Sequence, residues 1–119
     1  MARRLEATTH SVRVGGLHIY LITHEKEDGG LDFISLHSAK MGSTLHGLFS
    51  TIEQLVNLAL RHGATPAEVG EVLLELVFEP NGMTDDPDVP SASSVADYLG
   101  QKLRKTYPDP AQMPQEASA

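Results

Sequence analysis

The chain has 119 residues, no cysteine and a formal net charge of −7 at neutral pH. This length fits one domain with a single core. The lack of cysteine excludes disulfides, thiolate metal sites and cysteine chemistry. The negative charge argues against broad nucleic-acid binding. No apolar run approaches the roughly 20 residues of a membrane span, and the N-terminus lacks the apolar region of a secretory signal, so we expect a cytoplasmic protein.

The first half of the chain has the pattern of β-strands. Ser11–Val14 and Leu17–His24 flank a Gly-Gly pair, and residues 31–37 follow Asp28-Gly29, a strong hairpin signal between two apolar runs. These features predict a three-stranded antiparallel sheet over about residues 11–37. Residues 1–10 lack the pattern, and we expect them to form a flexible N-terminal arm.

The alternation of side chains gives this sheet two different faces. Leu17, Ile19 and Leu21 share the face that we expect to cover the helices. The opposite face, called here the outer sheet face, carries His18, Tyr20, Ile22, His24, Phe33 and His37. It is half apolar, and tyrosine is favoured at interfaces. We therefore expect a contact surface, most simply in a two-fold homodimer; the alternative is that the N-terminal arm folds back over it.

The second half of the chain predicts three helices. In the first, over residues 44–62, apolar residues recur at steps of three and four, and Leu55 lies in the middle of this stripe. We expect the stripe, Leu55 included, to form the core. Either Ser43 or Thr44 caps this helix, and Gly63 ends it.

The second helix is predicted over residues 65–78, with Thr65 as N-cap, Pro66 at the first helical position and Glu68 closing a capping box. Its expected buried stripe consists of Val69, Val72, Leu73, Leu76 and Val77. The proline-rich stretch that follows predicts a loop with no regular element. The third helix is predicted over residues 94–107, with Val95, Tyr98, Leu99 and Leu103 facing inward. Residues 108–119 have the composition of a disordered tail.

The sequence gives weak signals for a catalytic or metal site. His18 and His24 lie about 20 Å apart along one strand at ~3.3 Å per residue, so an ion would require His37 to lie opposite one of them. A serine cluster at residues 91–94 is explained by helix capping, and Gly42 to Thr44 before a helix could hold an anion only in a generic way. We therefore predict no catalytic residue, no metal ligand and no cofactor.

Acidic residues cluster twice, at Glu68, Glu71 and Glu75 and in the acidic loop Asp85–Asp88. The simpler interpretation is a solvated helix face and a polar loop. The alternative is a site for a divalent cation or for a basic partner.

Five segments, in this order, resemble the TSCPD domain, a module at the C-terminus of cobalamin-dependent (class II) ribonucleotide reductases that also occurs alone. They are Val14–Gly16 with the strand and Glu25–Gly29 after it, Leu58–Gly63, Pro66–Val69, Phe78–Met83 and Ser94–Leu99. The resemblance covers residues 12–107 and implies a domain over about residues 11–107. It also implies an association with deoxyribonucleotide synthesis and DNA replication.

The sequence departs from this family at the stretch that gives the family its name. Where the family has Thr-Ser-Cys-Pro-Asp, this chain has Ser91-Ala92-Ser93-Ser94, so no thiol role is carried over. Reductases of this family need cysteines for their radical and their reducing equivalents. The resemblance therefore implies a non-catalytic binding or regulatory module that works with a ribonucleotide reductase or replication protein. The alternative is a small metal-assisted hydrolase or nucleotide-modifying enzyme using the acidic loop.

Overall fold

The fold is α+β, as predicted, with a three-stranded antiparallel sheet and three helices. The computed structural model describes residues 6–38 and 43–108. In chain order the elements are β1 Glu6–Val14, β2 Leu17–Glu25, β3 Leu31–Ser38, α1 Ser43–Arg61, α2 Pro66–Leu73, β4 Gly82–Met83, β5 Ser91–Ala92 and α3 Val95–Thr106. None of the described helices combines the length and the apolar character needed to cross a membrane.

The main sheet has the order β1-β2-β3, and both connections are hairpins. Gly15 and Gly29 take the positive φ angles of +56° and +89° that these turns require. β1 begins five residues earlier than predicted, because Glu6–His10 continue the ladder along β2 as far as Glu25. The first five residues, and with them the rest of the predicted arm, lie outside the described residues, as do residues 109–119 of the predicted tail.

The core lies between the inner sheet face and the helices. Ile19 and Leu21 are fully buried, as predicted, and Leu17 is partly buried. The inward stripe of α3 is confirmed in full, since Val95, Tyr98, Leu99 and Leu103 are each 0% exposed. The buried cluster also includes Val12, Val14, Leu31, Ile34, Leu36, Phe49, Val56, Val69, Val89 and Ala92.

Helix α1 closes the outer edge of β3. The Asn57 side chain accepts from the Ile34 N–H at 2.8 Å and donates to the Ile34 carbonyl at 3.0 Å, and Glu53 accepts from the Leu36 N–H at 2.7 Å. These polar contacts orient the helix so that Leu55 points away from the sheet and is 61% exposed. The prediction that Leu55 is a core residue is therefore wrong.

Helix α2 begins as predicted, with the complete capping box of Thr65 and Glu68, but ends at Leu73 rather than at residue 78. The Glu75 N–H donates instead to the Asp97 carboxylate on α3 at 2.7 Å, and Glu75 has a positive φ of 64°. The predicted buried stripe is consequently wrong at three positions, and the exposed fractions are 75% for Val72, 45% for Leu76 and 74% for Val77.

The segment between α2 and α3 contains a two-stranded ladder, where the sequence predicted no regular element. Gly82 pairs with Ala92, and Met83 pairs with Ser91. The segment also contacts the β1–β2 turn, where the Gly15 N–H donates to the Met83 carbonyl at 2.9 Å. Long-range pairing of this kind is not visible in a local sequence pattern.

Candidate functional site

The structure brings all six predicted interface residues together on the outer sheet face. In the β2–β3 register, Tyr20 lies opposite His37 and His24 lies opposite Phe33. Residues directly opposite each other share a face, as do residues two apart on one strand. β1 adds Thr9, Ser11 and Arg13, which lie opposite Ile22, Tyr20 and His18. The role of this surface as an interface stays a prediction.

Two ring pairs order the side chains of this face. The His24 and Phe33 rings stack with centroids 4.1 Å apart and planes 10° from parallel, and the His18 and Tyr20 rings lie 4.7 Å apart at 35°. Each imidazole also has a hydroxyl neighbour, at 2.5 Å from Ser11 and 3.3 Å from Ser35. The face is therefore a preorganised surface of rings with polar edges.

The charge of this face differs from that of the whole chain, which is −7. Of the carboxylates in the three strands, Glu6 and Glu25 belong to the inner side by alternation, and Asp32 occupies the bulge at one end of β3. The face itself carries Arg13 and three imidazoles. Phe33, beside this bulge, is 40% exposed. A partner would thus meet aromatic and aliphatic area beside one cation, with the exposed Asp32 at the bulge end of the face.

The register does not favour a histidine metal site on this face. His37 lies opposite Tyr20, and neither His18 nor His24 lies directly opposite another histidine. Within residues 6–38 and 43–108, no group of three histidine or acidic side chains could hold a metal ion. Gly42 of the generic anion site lies outside the described residues, and α1 begins at Ser43.

The acidic loop is held by protein groups rather than open to a ligand. Asp86 contacts the Lys102 ammonium at 2.9 Å and accepts from the Tyr98 hydroxyl at 2.7 Å. Asp88 contacts the same ammonium at 3.2 Å, and Asp85 accepts from the Arg13 N–H at 2.8 Å. Each carboxylate therefore fastens the loop to α3 or to β1.

The electrostatics of this cluster, called here the Lys102 cluster (Lys102, Asp86, Asp88 and Tyr98), agree with a structural role. Burial raises the pKa of Asp86, but hydrogen bonds from Lys102, Tyr98 and the Asp88 N–H outweigh it, and the pKa lies below its usual value. Burial opposes the charge of Lys102, but its two carboxylate partners raise its pKa overall. Burial and the Asp86 hydrogen bond raise the pKa of Tyr98. At neutral pH the cluster is a charged, satisfied network.

Sequence reasoning missed the Lys102 cluster and one neighbour, His10. A signal was present, because Lys102 follows Tyr98 by four residues and so lies on the inward face of α3. His10 lies on the inner side of β1, and burial together with the Lys102 charge lowers its pKa. A lysine within an apolar stripe requires an acidic partner, which here comes from the acidic loop.

The serine segment at residues 91–94 is also engaged in structural contacts. The Ser94 hydroxyl accepts from the Asp97 N–H at 2.9 Å as the N-cap of α3. The Ser93 hydroxyl donates to the Leu76 carbonyl at 3.0 Å, and the Ser93 N–H donates to Asp97 at 2.9 Å. The prediction that capping accounts for these serines is confirmed for Ser94.

A second exposed apolar surface, which the sequence assigned to the core, lies between α1 and α2. It is a groove of about 440 Å³, lined by Leu55, Val56, Ala59, Ala64, Glu68, Val69, Val72 and Leu73. Leu55 lines this groove because the contacts of Glu53 and Asn57 turn the polar side of α1 towards β3. Glu68 gives the groove an acidic rim.

Comparison with known proteins gives one family and one kind of relative. The profile of the TSCPD domain matches residues 1–107. The chain is 37% identical over 95 residues to a vitamin B12-dependent ribonucleotide reductase of Streptomyces avermitilis, which is 80% of this chain and 10% of that protein. It is 29% identical over 108 residues to the enzyme of the same name in Agrobacterium fabrum, or 90% of this chain and 8% of that protein.

The chain thus spans about a tenth of the length of the curated relatives just described. A search of the solved structures gives no significant match. The family profile covers all the described residues except Pro108, including the sheet, the three helices and the serine segment. The chain belongs to the TSCPD domain family and is homologous to the part of vitamin B12-dependent ribonucleotide reductases that carries this domain.

Proposed function

We propose that this chain is a non-catalytic binding module linked to deoxyribonucleotide synthesis and DNA replication. Its homology to a small part of ribonucleotide reductases supports a place beside such an enzyme. The absence of cysteine supports a role without reductase chemistry of its own. In this proposal the module acts in the cytoplasm and binds a ribonucleotide reductase or a replication protein.

The observation that carries the proposal is the outer sheet face. Its rings are already ordered by the His24–Phe33 and His18–Tyr20 contacts, so little side-chain freedom is lost when a partner binds. Exposed aromatic area is typical of a contact surface. Self-association into a two-fold dimer is part of the same proposal.

Affinity capture from a lysate of the native host, followed by mass spectrometry, tests the partner. The expected result is recovery of a cobalamin-dependent ribonucleotide reductase with wild-type bait and its loss with Tyr20→Asp. Gln54→Asp is the matched control, because it adds the same charge at an exposed position on α1. Capture that survives Tyr20→Asp but is lost with Val72→Asp would move the contact to the α1–α2 groove and contradict the proposal.

The non-catalytic part has its own test. Purified chain is incubated with ribonucleotides and with nucleoside triphosphates, each with and without a divalent metal ion. We expect no reduction and no hydrolysis. The rival metal-assisted enzyme would use the acidic loop, whose carboxylates are engaged by Lys102, Tyr98 and Arg13. Metal-dependent turnover that disappears in Asp86→Asn would refute the non-catalytic proposal.

A further inference from the structure

The two outer edges of the main sheet differ in how far their outward N–H groups are hydrogen-bonded. Along β3, the outward N–H groups of Ile34 and Leu36 are accepted by side chains of α1. Along β1, the described residues close one end, where the Arg13 N–H donates to Asp85 and the Gly15 N–H donates to the Met83 carbonyl. An uncovered edge is a template for pairing with another strand.

The rest of the β1 edge is open along its length. Outward-pointing N–H groups alternate along an edge strand, so the groups of Ala7, Thr9 and Ser11 point the same way as that of Arg13. Within residues 6–38 and 43–108 no group accepts from these three N–H groups. Residues 6–12 also contain no proline, lysine or bulge, the devices that usually block edge pairing.

We propose that a second copy of this chain pairs with this edge, antiparallel to β1 and about a two-fold axis at Thr9. The two three-stranded sheets would join into one six-stranded sheet. This inference rests on the self-association in the proposed function and specifies its geometry. It places the dimer contact at the sheet edge rather than between two outer sheet faces.

The register follows from the available donors. With the axis at Thr9, the two Thr9 residues face each other and Ala7 faces Ser11 of the second copy, so every free N–H finds a carbonyl. Moving the axis to His10 would pair Ala7 with Arg13, whose N–H is already taken by Asp85. In the Thr9 register no like charges lie opposite each other, and facing threonines are a favourable cross-strand pair.

This geometry has a consequence for the binding surface. Thr9 and Ser11 lie on the outer sheet face, at its β1 side. Pairing through β1 therefore sets the two outer sheet faces side by side in one plane and leaves both uncovered. The dimer would offer a reductase a surface of twice the area, without carboxylates along its centre.

Light scattering on the full chain at high micromolar concentration tests the edge contact. We expect two copies for wild type and for Thr9→Val, and one copy for Thr9→Pro, because proline removes the central N–H. Proline is tolerated where the N–H of an edge strand faces solvent. Thr9→Lys places two ammonium groups together at the axis and should also give one copy, whereas Gln54→Lys on α1 should remain a dimer. Circular dichroism checks that each variant is folded.

A cysteine crosslink tests the register, since the chain has no other cysteine. Residues facing each other in a hydrogen-bonded antiparallel pair have Cα atoms about 5.5 Å apart, which suits a disulfide. Thr9→Cys should crosslink under mild oxidation, and Phe33→Cys and Gln54→Cys should not. A dimer that survives Thr9→Pro and Thr9→Lys but is lost with Tyr20→Asp would overturn the edge geometry and support contact between outer faces. A monomeric wild type would overturn the proposal of self-association. The binding of a reductase is tested separately, by the affinity-capture experiment.

Discussion

Replacing Lys102 by methionine is the sharpest test of how the acidic loop is held. The substitution keeps most of the apolar stem and removes the ammonium group that contacts Asp86 at 2.9 Å and Asp88 at 3.2 Å. The Lys102 and Asp86 side chains are only 9% and 11% exposed. In the variant, the Asp86 carboxylate would stay in a nearly dry site without its cation.

The expected cost can be estimated from these contacts. Removing one partner of a buried ion pair costs about 3–5 kcal/mol. Asp86 keeps hydrogen bonds from Tyr98 and from the Asp88 N–H, at 2.7 and 2.9 Å, which favours the lower end. The Asp88 contact adds little, about 0–1 kcal/mol, because that carboxylate is 64% exposed. We expect a loss of about 3 kcal/mol, or roughly 10–15 °C in melting temperature.

Urea unfolding at neutral pH measures this loss, with Lys105→Met as the control because Lys105 is exposed on the same helix. The control should change the free energy of unfolding by less than about 0.5 kcal/mol. Asp86→Asn and the double variant complete a cycle in which the double variant should lose less than the sum of the singles. If Lys102→Met behaves like Lys105→Met, the loop is not fastened by this ion pair.

Three further predictions concern the core, the close approach of α2 to α3 at Gly70 and Gly100, and the pH dependence of stability. Leu55→Ala should lower the free energy of unfolding in urea by less than about 1 kcal/mol and Val56→Ala by about 2 kcal/mol, because the two residues are 61% and 4% exposed. Equal decreases would contradict the orientation of α1. Gly100→Ala should destabilise the protein by about 1–3 kcal/mol, because the added Cβ would lie 2.6 Å from the Gly70 carbonyl oxygen. Gly47→Ala should stabilise it by roughly 0.5–1 kcal/mol, because a Cβ there meets no atom of another element within 4 Å. Thermal melting measures both changes. Burial and the Lys102 charge lower the pKa of His10, outweighing nearby carboxylates, so the unfolded chain takes up the proton first as the pH falls below about 6.5. The stability that neutral His10 contributes is therefore fully present above that pH and lost below it, and His10→Asn should flatten the decline between about pH 7 and 5 in urea unfolding; an unchanged slope would contradict this.

Most of the sheet and α3 could be predicted because their signals are local. A period of two residues assigns side chains to faces without any knowledge of the partner strand, so six residues of the outer sheet face, all on β2 and β3, could be predicted. The capping residues Thr65 and Ser94 likewise act within a few positions of their own helix. The fastening of the acidic loop could not be found in this way, because Asp86 and Lys102 are brought together only by the fold.

The errors in α1 and α2 have a different physical origin. An apolar stripe shows that one side of a helix avoids water, but α1 has apolar residues around a wider arc than the core can cover. The contacts of Glu53 and Asn57 with β3 decide which part of that arc is buried. In α2 the apolar period continues to Val77, yet the Asp97 carboxylate takes the Glu75 N–H and ends the helix at Leu73. Tertiary hydrogen bonds overrode local periodicity in both helices.

The serine segment and the acidic loop are engaged in internal contacts, which limits the surfaces that a partner could bind. The Ser93 hydroxyl joins the start of α3 to the Leu76 carbonyl in the chain after α2, and the fully buried Ser94 caps α3 with its hydroxyl. The serine segment thus has a structural role, and the chain has no thiol. The acidic loop is similarly committed to Lys102. The described fold leaves the outer sheet face, the open edge of β1 and the α1–α2 groove available to a partner.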